Sequence, residues 1–87
     1  MSVYQVNRLI YAMKMDGSLA ERFRTDRAAL LGEWDLSEKE RGALDSLDFA
    51  WMRDAGVMPN LLLKLTSIAQ VPLSRLNEQA STEHGTE

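Results

Sequence analysis

The chain has 87 residues, enough for one domain with a small hydrophobic core, and it contains no cysteine, which excludes disulfides and thiolate metal sites. Thirteen acidic and ten basic residues give a net charge of −3, which argues against binding to DNA or RNA. No apolar run approaches the ~20 residues that a membrane-spanning helix needs. We therefore expect a cytoplasmic protein that binds neither nucleic acid nor membranes.

The first third of the chain predicts three short helices. Ser2 with Gln5 forms a capping box, and apolar residues then recur at helical spacing as far as about Met15. Asp16-Gly17 signals the turn that follows. The capping box Ser18 and Glu21 is expected to start the second helix, and the pair Thr25 and Asp26 is expected to start the third. Gly32 is expected to stop the third helix in a left-handed conformation.

The middle of the chain predicts one long helix or two shorter ones. Ser37 and Glu40 form another capping box, and the interior Gly42 would permit close helix packing. Asp48 either caps a separate helix or lies within a continuous one. Gly56 ends the helical segment in both cases.

The last clearly signalled helix is expected from Pro59 to about Gln70, where Val71-Pro72 stops it. The fold class is therefore all-α, a compact single domain of about five to six short packed helices. Residues 1–72 form this domain, and residues 73–87 form a polar tail that we expect to be disordered. Within the tail, residues 78–87 have no apolar pattern with which to join a core, so we expect them to be disordered.

The residues that catalysis usually requires are scarce. His84, the single histidine, lies in the polar tail, so a Ser-His-Asp triad would have no rigid base. An iron site of the two-histidine, one-carboxylate kind needs two imidazoles. We therefore expect no catalytic residue, no metal ligand and no cofactor in this chain.

Charged and aromatic side chains have structural interpretations that outweigh catalytic ones. Neighbouring carboxylates are interpreted as caps and solvated helix faces, and the basic cluster as ion pairing on helix surfaces. The carboxylates are Glu38, Glu40, Asp45 and Asp48, and the basic cluster is Arg22, Arg24 and Arg27 with Glu21 and Asp26 as expected partners. Trp34 and Trp51 are expected to anchor the core or an interface.

The turn before the last helix is more apolar than a structural loop usually is. Val57 and Met58 precede Pro59, and the helix then presents leucines over more than one face, at positions 61, 62, 63 and 65. Such a helix is either central to the domain or in contact with a partner. Both interpretations stay open, because they can apply to different faces.

These patterns together resemble the alpha subunit of protocatechuate 4,5-dioxygenase and related small domains, from Tyr4 to about Ala69. The opening of this family matches Asn7 to Met15, and its later motifs match Arg22-Phe23, then Leu31, Glu33, Trp34, Leu36 and Ser37. The closing motif keeps Gly56, Leu62, Lys64 and Leu65. Val57, Met58, Asn60 and Leu61 stand where the family has a second glycine, an asparagine and two aromatic residues.

The resemblance implies a noncatalytic small subunit of an extradiol dioxygenase, which opens catechol-type rings. The chain would lie as a lid over the Fe(II) active site of a separate catalytic large subunit. The implied substrate-pocket and partner-facing turn is Gly56, Val57, Met58, Pro59, Asn60 and Leu61. Two alternatives are a recognition domain of a precursor peptide that is bound by a modifying enzyme, and a helical domain that forms homo-oligomers.

Overall fold

The computed structural model describes residues 3–77 and confirms an all-α fold for them: they form α-helices and one 3-10 helix, without a strand. The α-helices are α1 (Tyr4–Met15), α2 (Gly17–Thr25), α3 (Arg27–Gly32), α4 (Glu38–Ser46), α5 (Phe49–Ala55) and α6 (Pro59–Ala69). The 3-10 helix is Leu73–Asn77. None of these helices is long and apolar enough to cross a membrane.

Helix caps explain why the middle of the chain forms two helices rather than one. The capping box at the start of α4 is present: the Glu40 N–H donates to Ser37 Oγ at 3.1 Å, and the Ser37 N–H donates to Glu40 Oε1 at 2.8 Å. Leu47 adopts the left-handed conformation with φ 58°, which ends α4. Asp48 then accepts from the Trp51 N–H at 3.0 Å and caps α5.

Two predicted helix signals are wrong. Asp16, not Ser18, caps α2: its Oδ1 accepts from the Ser18 N–H at 3.0 Å and from Ser18 Oγ at 2.7 Å. Gly32 is the last residue of α3 and does not adopt positive φ. The right-handed conformation continues through Glu33, whose N–H donates to the last carbonyls of the helix. The expected Ser2 cap lies outside the described residues.

Gly42 does not mark a close helix contact. A Cβ atom added at this glycine would meet no atom within 4 Å outside its own helix backbone. The expectation of close packing at this position is therefore wrong, and the glycine lies on an exposed part of α4.

The core lies where α1 and α6 pack against each other and against α2. Each helix contributes the side chains of one apolar stripe, as the helical spacing predicts. The largest side chains with under 2% exposure are Phe23, Phe49, Leu9, Ile10, Met13, Leu30, Leu31, Leu44, Met52 and Leu65. α6 is thus a central helix, which accounts for most of its leucines.

Helical structure continues past residue 72, where the sequence predicts that the polar tail begins. The 3-10 helix Leu73–Asn77 packs on α5 and α6. Arg53 donates to the Leu76 carbonyl at 3.1 Å, and Arg75 donates to the Leu47 carbonyl at 2.9 Å. Arg75 also stacks over the Phe49 ring at 5.4 Å. Residues 78–87, for which disorder is predicted, lie outside the described residues.

Candidate partner-facing surface

The turn between α5 and α6 is fixed by its backbone. Gly56 adopts φ 104°, a left-handed conformation that favours glycine. The Val57 N–H then donates to the Met52 carbonyl at 2.9 Å, and Pro59 begins α6. The Met58 N–H donates to Asn7 Oδ1 at 3.2 Å, which ties the turn to α1. The turn is therefore a defined feature of the domain surface.

The six residues of the predicted partner-facing turn do not all face outwards. Val57 and Leu61 are only 3% and 5% exposed, so their side chains belong to the core. Met58 is 48% exposed, and Gly56, Pro59 and Asn60 are exposed as well. The side chains of Val57 and Leu61 therefore pack within the domain, and the role of the six residues in partner binding stays a prediction.

An apolar groove lies beside this turn, between α1, the segment before α4 and the start of α6. We call it the aromatic groove, because two tyrosines and a tryptophan contribute to its walls. Its volume is about 580 Å³, and its lining residues are Tyr4, Asn7, Arg8, Tyr11, Ala12, Trp34, Met58, Asn60 and Leu61. Trp34, which the sequence predicts as a core or interface anchor, is partly buried against the core and also contributes to this groove.

A second depression lies on the other side of Asn60, and we call it the α6 groove. It is lined by Lys14, Asn60, Leu63, Lys64, Thr66, Ser67, Val71 and Leu73. The two grooves share Asn60, so they form one continuous face around the start of α6.

Most of the exposed apolar bulk of the described residues lies on this face. The structure has six large hydrophobic side chains that are exposed within residues 3–77. Five of them line the two grooves, namely Tyr4, Tyr11, Met58, Leu63 and Leu73, and the sixth is Met15. Clustered exposed hydrophobic residues are typical of a protein-binding surface, whereas scattered ones are ordinary.

In the aromatic groove, the Arg8 side chain contacts aromatic rings rather than carboxylates. Its guanidinium carbon lies 5.7 Å from the centre of the Tyr4 ring and 5.6 Å from that of Trp34. Within residues 3–77, the guanidinium has one hydrogen-bond acceptor, Gln5 Oε1, at the long distance of 3.4 Å. The groove therefore presents a cation whose charge is not neutralised by any described residue.

The charged clusters noted in the sequence have structural roles. Arg22 donates two hydrogen bonds to Glu33, at 3.0 and 2.7 Å, instead of pairing with Glu21 or Asp26. The Arg22 guanidinium lowers the pKa of Glu33, and Glu33 raises the pKa of Arg22. Arg24 pairs with Glu21 at 2.7 Å, as expected.

The remaining capping carboxylate also shows an electrostatic effect. Hydrogen bonds from the Ser18 hydroxyl and from the Ser18 N–H lower the pKa of Asp16. Glu40 and Asp48 serve as caps, as described above, so the interpretation of the carboxylates as caps holds for these two.

The donor atoms present do not fit an iron site. Within residues 3–77, no three residues among His, Cys, Asp and Glu lie close enough together to hold a metal ion. The whole sequence contains one histidine, whereas a two-histidine, one-carboxylate site requires two.

Sequence reasoning missed the α1 side of this face. Tyr4, Arg8 and Tyr11 were not singled out, although the signal was available. They recur at spacings of four and three residues, which places them together on one side of α1, opposite to the apolar stripe of Val6, Leu9, Ile10 and Met13.

One of the three comparisons with known proteins identifies a family. No curated protein and no solved structure matches the chain significantly. The family model described as "Aromatic-ring-opening dioxygenase LigAB, LigA subunit" matches residues 6–84. This match spans most of the chain and confirms the resemblance derived from the sequence motifs. The chain belongs to the LigA subunit family of aromatic-ring-opening dioxygenases.

Proposed function

We propose that this chain is the noncatalytic small subunit of an extradiol dioxygenase and lies as a lid over the Fe(II) active site of a separate large subunit. Membership of the LigA subunit family supports the class of complex. The observation that carries the lid role is the continuous apolar face around Met58 and Asn60, where five of the six exposed large hydrophobic side chains of residues 3–77 lie.

The geometry suits a rigid cover. The hydrogen bond from Met58 N–H to Asn7 Oδ1 and the left-handed Gly56 hold the turn in place before any partner binds. A preorganised surface loses little conformational freedom on association. Met58 and Pro59 have apolar side chains, so their contact with a partner's cleft would displace water from it.

In this proposal the iron belongs to the large subunit, because residues 3–77 contain no group of metal ligands and the sequence has one histidine where such a site needs two. The iron would supply the oxygen chemistry of ring opening. This chain would exclude water and complete the wall of the pocket, and its effect on turnover would come through closure. The cytoplasmic location and the absence of nucleic-acid partners remain predictions from composition.

The test is co-expression with a LigB-type large subunit, followed by assay of ring opening on a set of catechols. We expect a stable complex, and we expect the large subunit alone to turn over more slowly than the complex. The proposal fails if the purified subunits do not associate, or if the large subunit is equally active without this chain. Association with a peptide-modifying enzyme instead would favour the recognition-domain alternative, and stable self-association alone would favour the homo-oligomer.

A further inference from the structure

Arg8 differs from the other arginines in how its charge is held. The other six donate hydrogen bonds to carboxylates or to backbone carbonyls within residues 3–77; they are Arg22, Arg24, Arg27, Arg41, Arg53 and Arg75. Arg8 instead lies near the rings of Tyr4 and Trp34 and meets one amide oxygen at 3.4 Å. Its fork of N–H donors has no carboxylate acceptor among the described residues.

This arrangement prepares Arg8 to bind a carboxylate. Contact with aromatic rings does not use the N–H groups of the exposed guanidinium, and a guanidinium can bind a carboxylate through two parallel hydrogen bonds. Met58 and the amide of Asn60 stand in the same groove, so apolar contact and a further polar group are available around the charge.

We infer that Arg8 binds the side-chain carboxylate of an aspartate or glutamate of the large subunit, set among apolar residues, and that this pair anchors the subunit interface. The inference rests on the proposed function. The groove is an open surface depression, in which a small free carboxylate would stay hydrated and weakly held. A carboxylate carried by a protein surface is desolvated by the surrounding contact, and Arg, Tyr and Trp together are typical of interface hot spots.

The test measures the Kd of the complex by calorimetry for the wild type, Arg8→Gln and Arg8→Lys, with a LigB-type large subunit as the titrant. Lys39→Gln is the matched control, because it removes the same charge from an exposed position that lines neither groove. Each Kd is measured at about 0.05 M and about 0.5 M NaCl, since screening weakens charge pairs. Melting curves by circular dichroism verify that each variant folds.

We expect Arg8→Gln to raise Kd by roughly 30-fold or more, as for loss of one member of a desolvated charge pair. Arg8→Lys should restore part of the affinity, because an ammonium cannot form the planar two-bond contact. Lys39→Gln should change Kd by no more than about twofold, as for a charge outside the contact. The salt dependence of Kd should be weaker for Arg8→Gln than for the wild type.

Two results overturn the inference but leave the proposed function intact: a Kd for Arg8→Gln equal to that of Lys39→Gln, or an unchanged Kd with a raised KM only for carboxylated catechols. The second result would assign the Arg8 site to a substrate carboxylate instead. Failure of the wild-type chain to bind the large subunit is a different outcome, and it overturns the proposed function together with the inference.

Discussion

The sharpest prediction compares the effects of aspartate substitutions at Leu62 and Leu63 in α6 and at Met58, the N-cap of α6. Leu62 is 5% exposed, whereas Met58 and Leu63 are 48% and 50% exposed. Leu62→Asp should unfold the isolated domain. Loss of a buried leucine alone costs about 2.7–5 kcal/mol, and a buried, unpaired carboxylate adds to this cost. A domain of this size has a free energy of unfolding of roughly 4–13 kcal/mol, so the combined cost of Leu62→Asp is comparable with the total stability of the domain.

Met58→Asp should leave the isolated domain nearly as stable as the wild type. Burial of about half a methionine side chain contributes roughly 1 kcal/mol, and this contribution is lost. However, Met58 is the N-cap of α6 and makes no side-chain capping hydrogen bond. Aspartate is a favourable N-cap, worth about 1 kcal/mol, and its carboxylate stays in water. The two effects approximately cancel.

The same substitution should strongly weaken the complex, because the interface would desolvate the new carboxylate without a partner for it. Urea unfolding followed by circular dichroism measures the first effect, and calorimetry with the large subunit measures the second. Leu63→Asp is the control for an exposed apolar position on the adjoining groove and should also fold. Met58→Asp unfolding the lone domain as severely as Leu62→Asp would refute the reasoning, since the turn would then be ordinary core.

Four further predictions concern stability, pH and metal binding. Gly42→Ala should stabilise the domain by about 0.8–1 kcal/mol in urea unfolding, because a Cβ meets open space there and alanine favours a helix; destabilisation would show that the α4 surface is not free. Deletion of residues 78–87 should change the melting temperature by less than about 4 °C, the shift that ~1 kcal/mol produces in a domain of this size, whereas a larger fall would show that this segment contributes to the fold. Arg22 holds the pKa of Glu33 below its ordinary value of 4.5, so the stabilisation is present above that value and is lost as the pH falls through the lowered pKa. Glu33→Gln should therefore show a shallower loss of stability in acid, and an unchanged acid limb would contradict the ion pair. The purified chain should bind no stoichiometric Fe(II) at micromolar concentration, and iron retained after removal of the tail would contradict this.

Local signals predicted the start of several helices because the atoms that satisfy the first N–H groups come from neighbouring residues. The Ser37 and Glu40 box, the Asp48 cap and Pro59 at the start of α6 are all of this kind. Gly56 is similar, because a left-handed residue after a helix is a local requirement. Where two local caps compete, as Asp16 and Ser18 do, the pattern alone does not decide between them, since each residue can accept from the backbone two or three residues later.

The candidate partner-facing surface could be predicted only in part, because a sequence pattern reports local contacts better than distant ones. A sequence marks residues 56–61 as an unusual turn, but it does not say which of their side chains the core takes. Packing against the rest of the chain draws Val57 and Leu61 inwards and leaves Met58 outside. The Asn7 to Met58 hydrogen bond then joins residues 51 positions apart.

The same long-range packing creates the aromatic groove, whose walls come from three separate parts of the chain. Tyr4 and Arg8 lie on the outer side of α1, Trp34 precedes α4, and Met58 stands at the start of α6. None of these residues has a strong signal alone, since a tyrosine or arginine on the solvent side of a helix is common. In the folded chain, Tyr4, Trp34 and Met58 line the same groove as Arg8, which has no carboxylate partner among residues 3–77. Aromatic residues and arginine grouped in this way are typical of protein interfaces, and this grouping supports the proposed role of the groove.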